Sequence, residues 1–386
     1  MPWKESTTME ERQRFINSVL ERTDSFKDLC SEYNISTKTG YKWFNRFRAD
    51  GYAGLQDHSK RPLNHPSRLS EEVVCDLISM KLAHSNFGPK KILELYRRIN
   101  PNNQPSLSSV NRVLKRAGLV KRRKKRRVSS SGRLVSQVNI KRPNDLWTVD
   151  FKGWWMSKDR HRIEPFTVRD AFSRYVLAST HLRNTRTEAV KDMLIYLFKK
   201  YGLPNAIQSD NGSPFASKSN INGISQLSAW LISLGIIITH SRPGHPQDNG
   251  GHERMHRDLK ESVQVRFRGN AKQYQAELNL WREEFNKVRP HEAIKMKTPA
   301  EVYQKSSRKY SGQPDEIAYP KEYTIRKVAS SGYIKLDGQK FFISTALREY
   351  FVGLKIIESY KLAVYFAYVF LGTIDMKTLS FSTEPK

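Results

Sequence analysis

The residues best suited to chemistry lie in one stretch, His245-Pro246-Gln247-Asp248-Asn249-Gly250-Gly251-His252-Glu253-Arg254-Met255-His256-Arg257-Asp258-Leu259-Lys260, and two different chemistries fit it. Taken from His252 it is H-E-x-x-H, the spacing that sets two imidazoles on one helix face to hold zinc, with the glutamate as general base of a metallopeptidase. Taken from Pro246 it is a turn of Pro, Asn and Gly that launches a helix with Glu253 in its first turn. On that helix Glu253, Arg257 and Lys260 share one face, while Met255, Leu259 and Val263 lie on another. A carboxylate flanked by two cations suits a metal ion beside a phosphodiester. Zinc-peptidase helices need apolar neighbours around their ligands, whereas this one carries Arg254, Arg257 and Asp258, and no third ligand follows closely. The choice turns on whether the rest of the chain supplies more histidines or more carboxylates.

The elements that would position these groups begin at Leu146. Leu146 to Trp154, Glu164 to Asp170 and Arg174 to His181 read as strands, and Thr187 to Tyr201 as a helix burying Val190, Met193, Leu194, Leu197 and Phe198. A short strand, Ala206 to Ser209, runs into Asp210-Asn211-Gly212. A helix over about Ile224 to Leu234 and the apolar strand Ile236 to Thr239 then lead through the loop from His240 to Asp248 to the Glu253 helix. Strands and helices in this order predict a central α/β domain, with helices against one mixed sheet. Asp150 falls within the first strand, Asp210 just beyond the fourth, and Glu253 on the closing helix. Asp170, before Ala171-Phe172-Ser173-Arg174, reads as a turn anchor, and Asp248 as a cap for its own turn. Asn211 either shapes the turn after Asp210 or touches substrate.

The flanks point to a polyanion. Lys and Arg number 67 against 38 Asp and Glu, a net charge of +29, and a field of that size favours nucleic acid. Cys30 and Cys75 alone make neither a disulfide framework nor a zinc module, which fits a reducing, cytoplasmic setting. The N-terminus carries Glu5, Glu10, Glu11 and Arg12 where a signal peptide needs an apolar run, and the apolar stretches around Trp230 to Ile238 and Leu362 to Leu371 are too short to span a membrane. Residues 1–55 read as three short helices, the second and third capped by Ser25 and Ser36, with the third burying Trp43, Phe44 and Phe47. Opposite that core it shows Lys38, Thr39, Lys42 and Arg46, as the recognition helix of a helix-turn-helix would. Residues 67–120 repeat the theme, with Arg112 and Lys115 as candidate DNA contacts. Residues 121–143 form a basic linker, Lys121-Arg122-Arg123-Lys124-Lys125-Arg126-Arg127 at its head, in which Arg123, Lys124 and Arg126 are candidate phosphate contacts. A nuclear-import signal has the same local composition. Residues 318–380 read as short strands around an Asp337-Gly338 hairpin turn, a small C-terminal β-barrel with a DNA-bridging or subunit-contacting role.

Across residues 144–305 the motifs Trp147-Thr148-Val149-Asp150, Ser209-Asp210-Asn211-Gly212, Pro246 to Glu253 with Arg257 and Lys260, Arg289-Pro290-His291 and Thr298-Pro299-Ala300 occur in an order that resembles the RNase H-like catalytic core of the DDE transposase and integrase superfamily. With the paired helical units, the chain resembles a bacterial insertion-sequence transposase. The spacing from Asp210 to Glu253 is longer than is usual in retroviral integrases, with the excess placed in Ala216 to Gln226, and their His and Cys zinc module is absent. The resemblance implies that Asp150, Asp210 and Glu253 are the catalytic, metal-binding set, holding Mg²⁺ or Mn²⁺, two ions in all. It further implies cleavage at the ends of a mobile element followed by strand transfer into target DNA. The partners implied are double-stranded DNA, as terminal inverted repeats and target, and further copies of the chain, with no membrane and no small-molecule substrate. Two other readings stand beside it, the zinc peptidase and a DNA-binding regulator with an inactive core.

Overall fold

The computed structural model describes residues 6–22, 24–59, 68–102, 104–120, 138–182, 184–210, 212–217, 220–241, 249–314 and 316–383. The chain divides into two compact units, Met1–Arg68 and Leu69–Lys386. Arg123, Lys124 and Arg126 of the basic linker, Asn211, and the turn through Asp248 lie outside the described residues.

The first unit is three helices, α1 (Thr8–Glu21), α2 (Phe26–Glu32) and α3 (Thr37–Asp50). Each begins where a hydroxyl can take up a free helix-end N–H: Thr7 in a reciprocal pair with Glu10, then Ser25, then Ser36. Phe15, Ile16, Leu29, Cys30, Trp43 and Leu55 fill the centre.

In the second unit, α4 (Glu71–Ala83), α5 (Pro89–Ile99) and α6 (Leu107–Arg116) pack around Leu77, Ile92, Tyr96, Val110 and Leu114. This group lies against the central domain. His84 Nδ1 meets Glu284 Oε1 at 2.8 Å, Asn86 bonds Ser262 and Arg266, Lys90 pairs with Glu292, and Arg98 reaches Met296 and Glu301.

The central sheet uses β1 (Leu146–Phe151), β4 (Pro165–Asp170), β5 (Val176–His181), β6 (Ala206–Ser209) and β7 (Ile237–His240) in the order β5-β4-β1-β6-β7, while β2 (Trp155–Met156) and β3 (Arg162–Ile163) form a separate hairpin. β5, β4 and β1 are antiparallel; β1, β6 and β7 are parallel. This is the mixed sheet with helices against it that the sequence predicts for the central domain. Alternation along the strands sorts the two faces. Trp147, Val149, Phe166 and Val168 pack with α7 (Thr187–Tyr201) and α8 (Gln226–Ser233). The opposite side chains of β1 and β4, Thr148, Asp150, Thr167 and Arg169, are polar, and they lie under α9 (Gly250–Leu259). α9 continues through a π-helical turn over Lys260–Gln264 and packs Met255, Leu259 and Val263 against Tyr274, Leu278 and Trp281 of α10 (Ala271–Glu283). α11 (Pro299–Val302) closes the domain behind a Thr298 and Glu301 capping box.

The C-terminal segment consists of two sheets. β8 (Tyr323–Lys327), β11 (Phe351–Glu358), β12 (Lys361–Phe366), β13 (Val369–Asp375) and β14 (Ser380–Ser382) form one antiparallel sheet, and β9 (Tyr333–Leu336) with β10 (Gln339–Phe342) the other. Asp337 and Gly338 turn that hairpin at φ 48° and 79°, the left-handed pair a two-residue hairpin needs. These sheets share a core with the central domain: Ile224, Ala229 and Ile232 are buried among Val352, Leu354, Val364 and Phe366. The Tyr368 hydroxyl donates to Ile236 C=O and accepts from Ile238 N–H, occupying the open edge of the central sheet at β7. The extra residues between Ala216 and Gln226 meet the same segment, where Asn222 Nδ2 donates to Phe370 C=O.

Candidate active site

Parallel pairing of β1 with β6 fixes the first two carboxylates. Leu146, Trp147 and Thr148 stand opposite Ala206, Ile207 and Gln208, so two residues further on Asp150 and Asp210 come level at the C-terminal ends of adjacent strands, on neighbouring tracks about 4.8 Å apart. Such strand ends, where a parallel sheet opens, are where α/β folds place their ligands. Burial pushes the Asp150 carboxyl up to about 7, with the charges of Asp210 and Glu253 adding to the rise. All three acids therefore share one field. Asp210 is exposed and its Oδ1 accepts from Gly212 N–H at 3.1 Å. Glu253 is exposed on the first turn of α9.

Beside them stand cations. Lys152, next but one to Asp150 on the same strand track, has its ammonium pushed down by burial and by Lys260, while Asp150 pulls it up. Lys260 thus faces the carboxylate end, and Arg257 is exposed one turn before it. Lys152 is a functional candidate that strand alternation from Asp150 already points to in the sequence.

The two imidazoles of H-E-x-x-H are committed elsewhere. His252 is fully buried and His256 is 9% exposed. The Thr167 hydroxyl donates to Asp150 C=O at 2.9 Å and lies 2.7 Å from both His252 Nε2 and His256 Nε2, so it accepts from the two N–H groups. His252 Nδ1 then accepts from Thr148 Oγ1 at 2.8 Å. Burial lowers both imidazoles well below their usual range, His256 to about 3, so both are neutral. The point on which their Nε2 atoms converge is filled by a hydroxyl with no exposure, which is where zinc would have to sit. Only His256 Nδ1 is left, facing Asp150 Oδ2 at 3.8 Å. Among the described residues, Asp150, His252 and His256 are the three possible ligand side chains whose atoms lie within 4.8 Å of one another; Asp150, Asp210 and Glu253 are spaced more widely. The donor chemistry still separates the two sets. The carboxylates are unsaturated oxygen donors crowded by like charge, suited to a hard divalent cation, and the imidazoles are hydrogen-bonded framework.

The remaining sequence-derived residues lie apart. Asp170 anchors its turn, taking Asn144 N–H on one oxygen and the Ser173 N–H and hydroxyl on the other. On α3, Lys38 and Lys42 are exposed, Thr39 is engaged with the Ser36 cap, and the Lys42 and Arg46 side chains lie over the Trp43 ring. Arg112 and Lys115 are exposed on α6.

Comparison with known proteins agrees with this architecture. An integrase core domain family matches residues 140–246 and a second integrase core domain model residues 234–299. A helix-turn-helix domain model matches residues 11–62 and a homeodomain-like domain model residues 39–114. The chain is 26% identical over 260 residues to a 39.2 kDa protein of insertion element IS476 from Xanthomonas euvesicatoria, covering 66% of this chain and 71% of that protein. It is 22% identical over 240 residues to a 31.7 kDa protein of insertion element IS407 from Burkholderia multivorans, covering 61% and 82%. Among solved structures, the catalytic core of BIV integrase is 24% identical and covers 42% of this chain and 93% of its own, with a TM-score of 0.32.

Proposed function

We propose that this chain, with its integrase core and helix-turn-helix domains and its likeness to insertion-element proteins, is a DNA transposase that cuts at the ends of its element and joins them to target DNA. The observation that carries this reading is the level placement of Asp150 and Asp210 at neighbouring strand ends, within the field of Glu253. Asp150, Asp210 and Glu253 would hold divalent cations, Mg²⁺ or Mn²⁺, two in number, whose chemistry there is to polarise the scissile phosphate and acidify the attacking hydroxyl. Lys260 and Arg257 bind backbone phosphates and set the strand across the carboxylates. Thr167, His252 and His256 hold α9 against β1 and β4, and so fix where Glu253 stands relative to Asp150.

In the first step a water oxygen bonds to phosphorus and the bond to the 3′-oxygen breaks, leaving a 3′-hydroxyl. In the second that hydroxyl bonds to a target phosphorus, a target P–O bond breaks, and the proton passes to the leaving oxygen. The helix-turn-helix units bring the DNA, and assembly on paired ends calls for more than one copy of the chain. Strand joining on a duplex carrying an element end tests this. Asp150→Asn, Asp210→Asn and Glu253→Gln should each keep end binding and lose joining by at least ~100-fold, as removal of a few kcal/mol of charge stabilisation implies. Joining by Asp150→Asn at the native rate would refute the mechanism, and a native chain that binds ends but never nicks would be an inactive regulator.

A further inference from the structure

Under α9, on the sheet face that also carries Asp150, the structure gathers several positive charges around Arg169. Arg169, at the end of β4, is 3% exposed, and among the described residues its guanidinium makes no hydrogen bond and no ion pair. Its neighbours are Arg174 and Arg254, which push its pKa down after burial itself, to about 9. Among the described residues the acid in its field is Asp170, which already has both oxygens engaged by Asn144 and Ser173. Arg174 is held at φ 70°, a left-handed conformation costly for a side-chain-bearing residue, and its Nε is buried without a partner. His291 Nε2 is likewise buried and unpartnered, with Lys91, Arg289, Arg169 and Arg174 all acting on the ring. Isolated buried cations are expensive, so a fold that collects several has a use for them.

The two guanidinium groups converge on the start of α9. A Cβ placed on Gly251 would lie 2.5 Å from Arg169 Nη1 and 3.0 Å from Arg174 Nη1, so glycine is what lets both guanidinium groups reach the first turn. That turn has no side-chain cap; the Asn249 side chain makes no cap bond and its Oδ1 is itself without a partner. Its free N–H groups add a partial positive charge to the same place.

We propose that Arg169, Arg174, Gly251 and Arg254, with His291 in the field of the first two, form a seat for one phosphate group. The occupant is a phosphodiester of bound DNA or inorganic phosphate, chemistries that share a tetrahedral oxyanion matched to two converging guanidinium groups and a helix N-terminus. The seat lies on the sheet face that also carries Asp150, with Arg169 opposite Thr148 and two residues along β4 from the Thr167 that stands opposite Asp150. Its use by DNA rests on the function proposed above; its existence does not.

The test uses the full chain. Melting is followed in inorganic phosphate and in chloride at matched ionic strength for the native protein, Arg169→Gln, Arg174→Gln and a control, Lys340→Gln. The expected result is a phosphate-dependent rise in melting temperature that both arginine variants lose and the control keeps. Arg174→Gln, at a partly exposed site, carries the test should Arg169→Gln fail to fold. In parallel, affinity for duplex DNA is measured against salt. A slope reduced by about 0.9 in the arginine variants identifies a DNA phosphate as occupant; an unchanged slope with a lost phosphate response identifies the free ion. Arginine variants that match the native protein in both arms would overturn the seat. Failure of the transposase reading shows separately, as joining by Asp150→Asn.

Discussion

Thr167 has one hydroxyl and three partners, and the position of α9 depends on it. In Thr167→Val the shape is nearly kept, but two buried imidazole N–H groups lose their acceptor, at a cost of about 1–3 kcal/mol for each group left unsatisfied. The expected outcome is a melting temperature lower by several degrees, with strand joining reduced more than end binding because Glu253 loses its fixed place. Equal losses of joining and binding would argue against that role. The same imidazoles give the fold a pH dependence of defined sign. Folded His256 holds no proton until about pH 3, whereas the unfolded chain takes one up near 6.5. Stability therefore falls as pH drops through 6.5, by up to about 1.4 kcal/mol per unit for each such imidazole. His256→Gln should flatten the plot of melting temperature against pH between 6.5 and 5, and an unaltered slope would rule the residue out as a source. At this scale the sequence yielded residue types and order but not partners. Spacing alone makes His252 and His256 look like ligands, because what occupies their ring nitrogens is two threonines, Thr148 and Thr167, far away in the chain. Arg169 was equally hidden, since an arginine in a strand pattern looks like solvated charge until the helix above it is in place.

Among the elements, those with a strong period were readable and those defined by docking were not. The helix Thr187–Tyr201 and the strand Ala206–Ser209 were expected with these same bounds and found there, because one face of each is apolar at the right repeat. The hairpin of β2 and β3 falls in the break between the first two expected strands, its two-residue strands being too short to show any period. α8 explains a further feature. Leu227 through Ser233 are all buried, since α7 and the sheet cover one side and the C-terminal segment the other; a helix apolar all round has to be enclosed. The C-terminal strands read as a separate module because nothing in their pattern reveals a partner. The shared core of Ile224, Ala229, Ile232, Val352 and Phe366 predicts that a chain ending at residue 317 exposes apolar surface on α8 and the bare edge of β7. Such a truncation should aggregate or melt well below the full chain, as light scattering and calorimetry would show. A stable, monodisperse fragment would mean the contact is dispensable. Tyr368→Phe, which removes only the hydroxyl bridging Ile236 and Ile238, should cost about 1–2 kcal/mol.

Across the whole molecule the surplus of +29 has to be divided between DNA reading and general attraction, and the two units predict different outcomes. The first unit is compact by itself, with its own core and capped helices, so residues 1–68 should fold alone and bind duplex DNA. Residues 69–120 should not be separable in the same way, because His84, Asn86, Lys90 and Arg98 hold them to the central domain. On α3 the exposed Lys38 and Lys42 are phosphate contacts in the proposed function, so each substitution to Gln should weaken binding alike across sequences and reduce the salt slope by about 0.9. Lys42 also lies over the Trp43 ring, and its replacement should therefore lower the melting temperature slightly, by the order of 0.5–1 kcal/mol of an exposed cation–π contact, where Lys38→Gln should not. An α3 that leaves the salt slope unchanged in both variants would remove this helix from the DNA interface and move end recognition onto the second unit, where Arg112 and Lys115 are the exposed cations of α6.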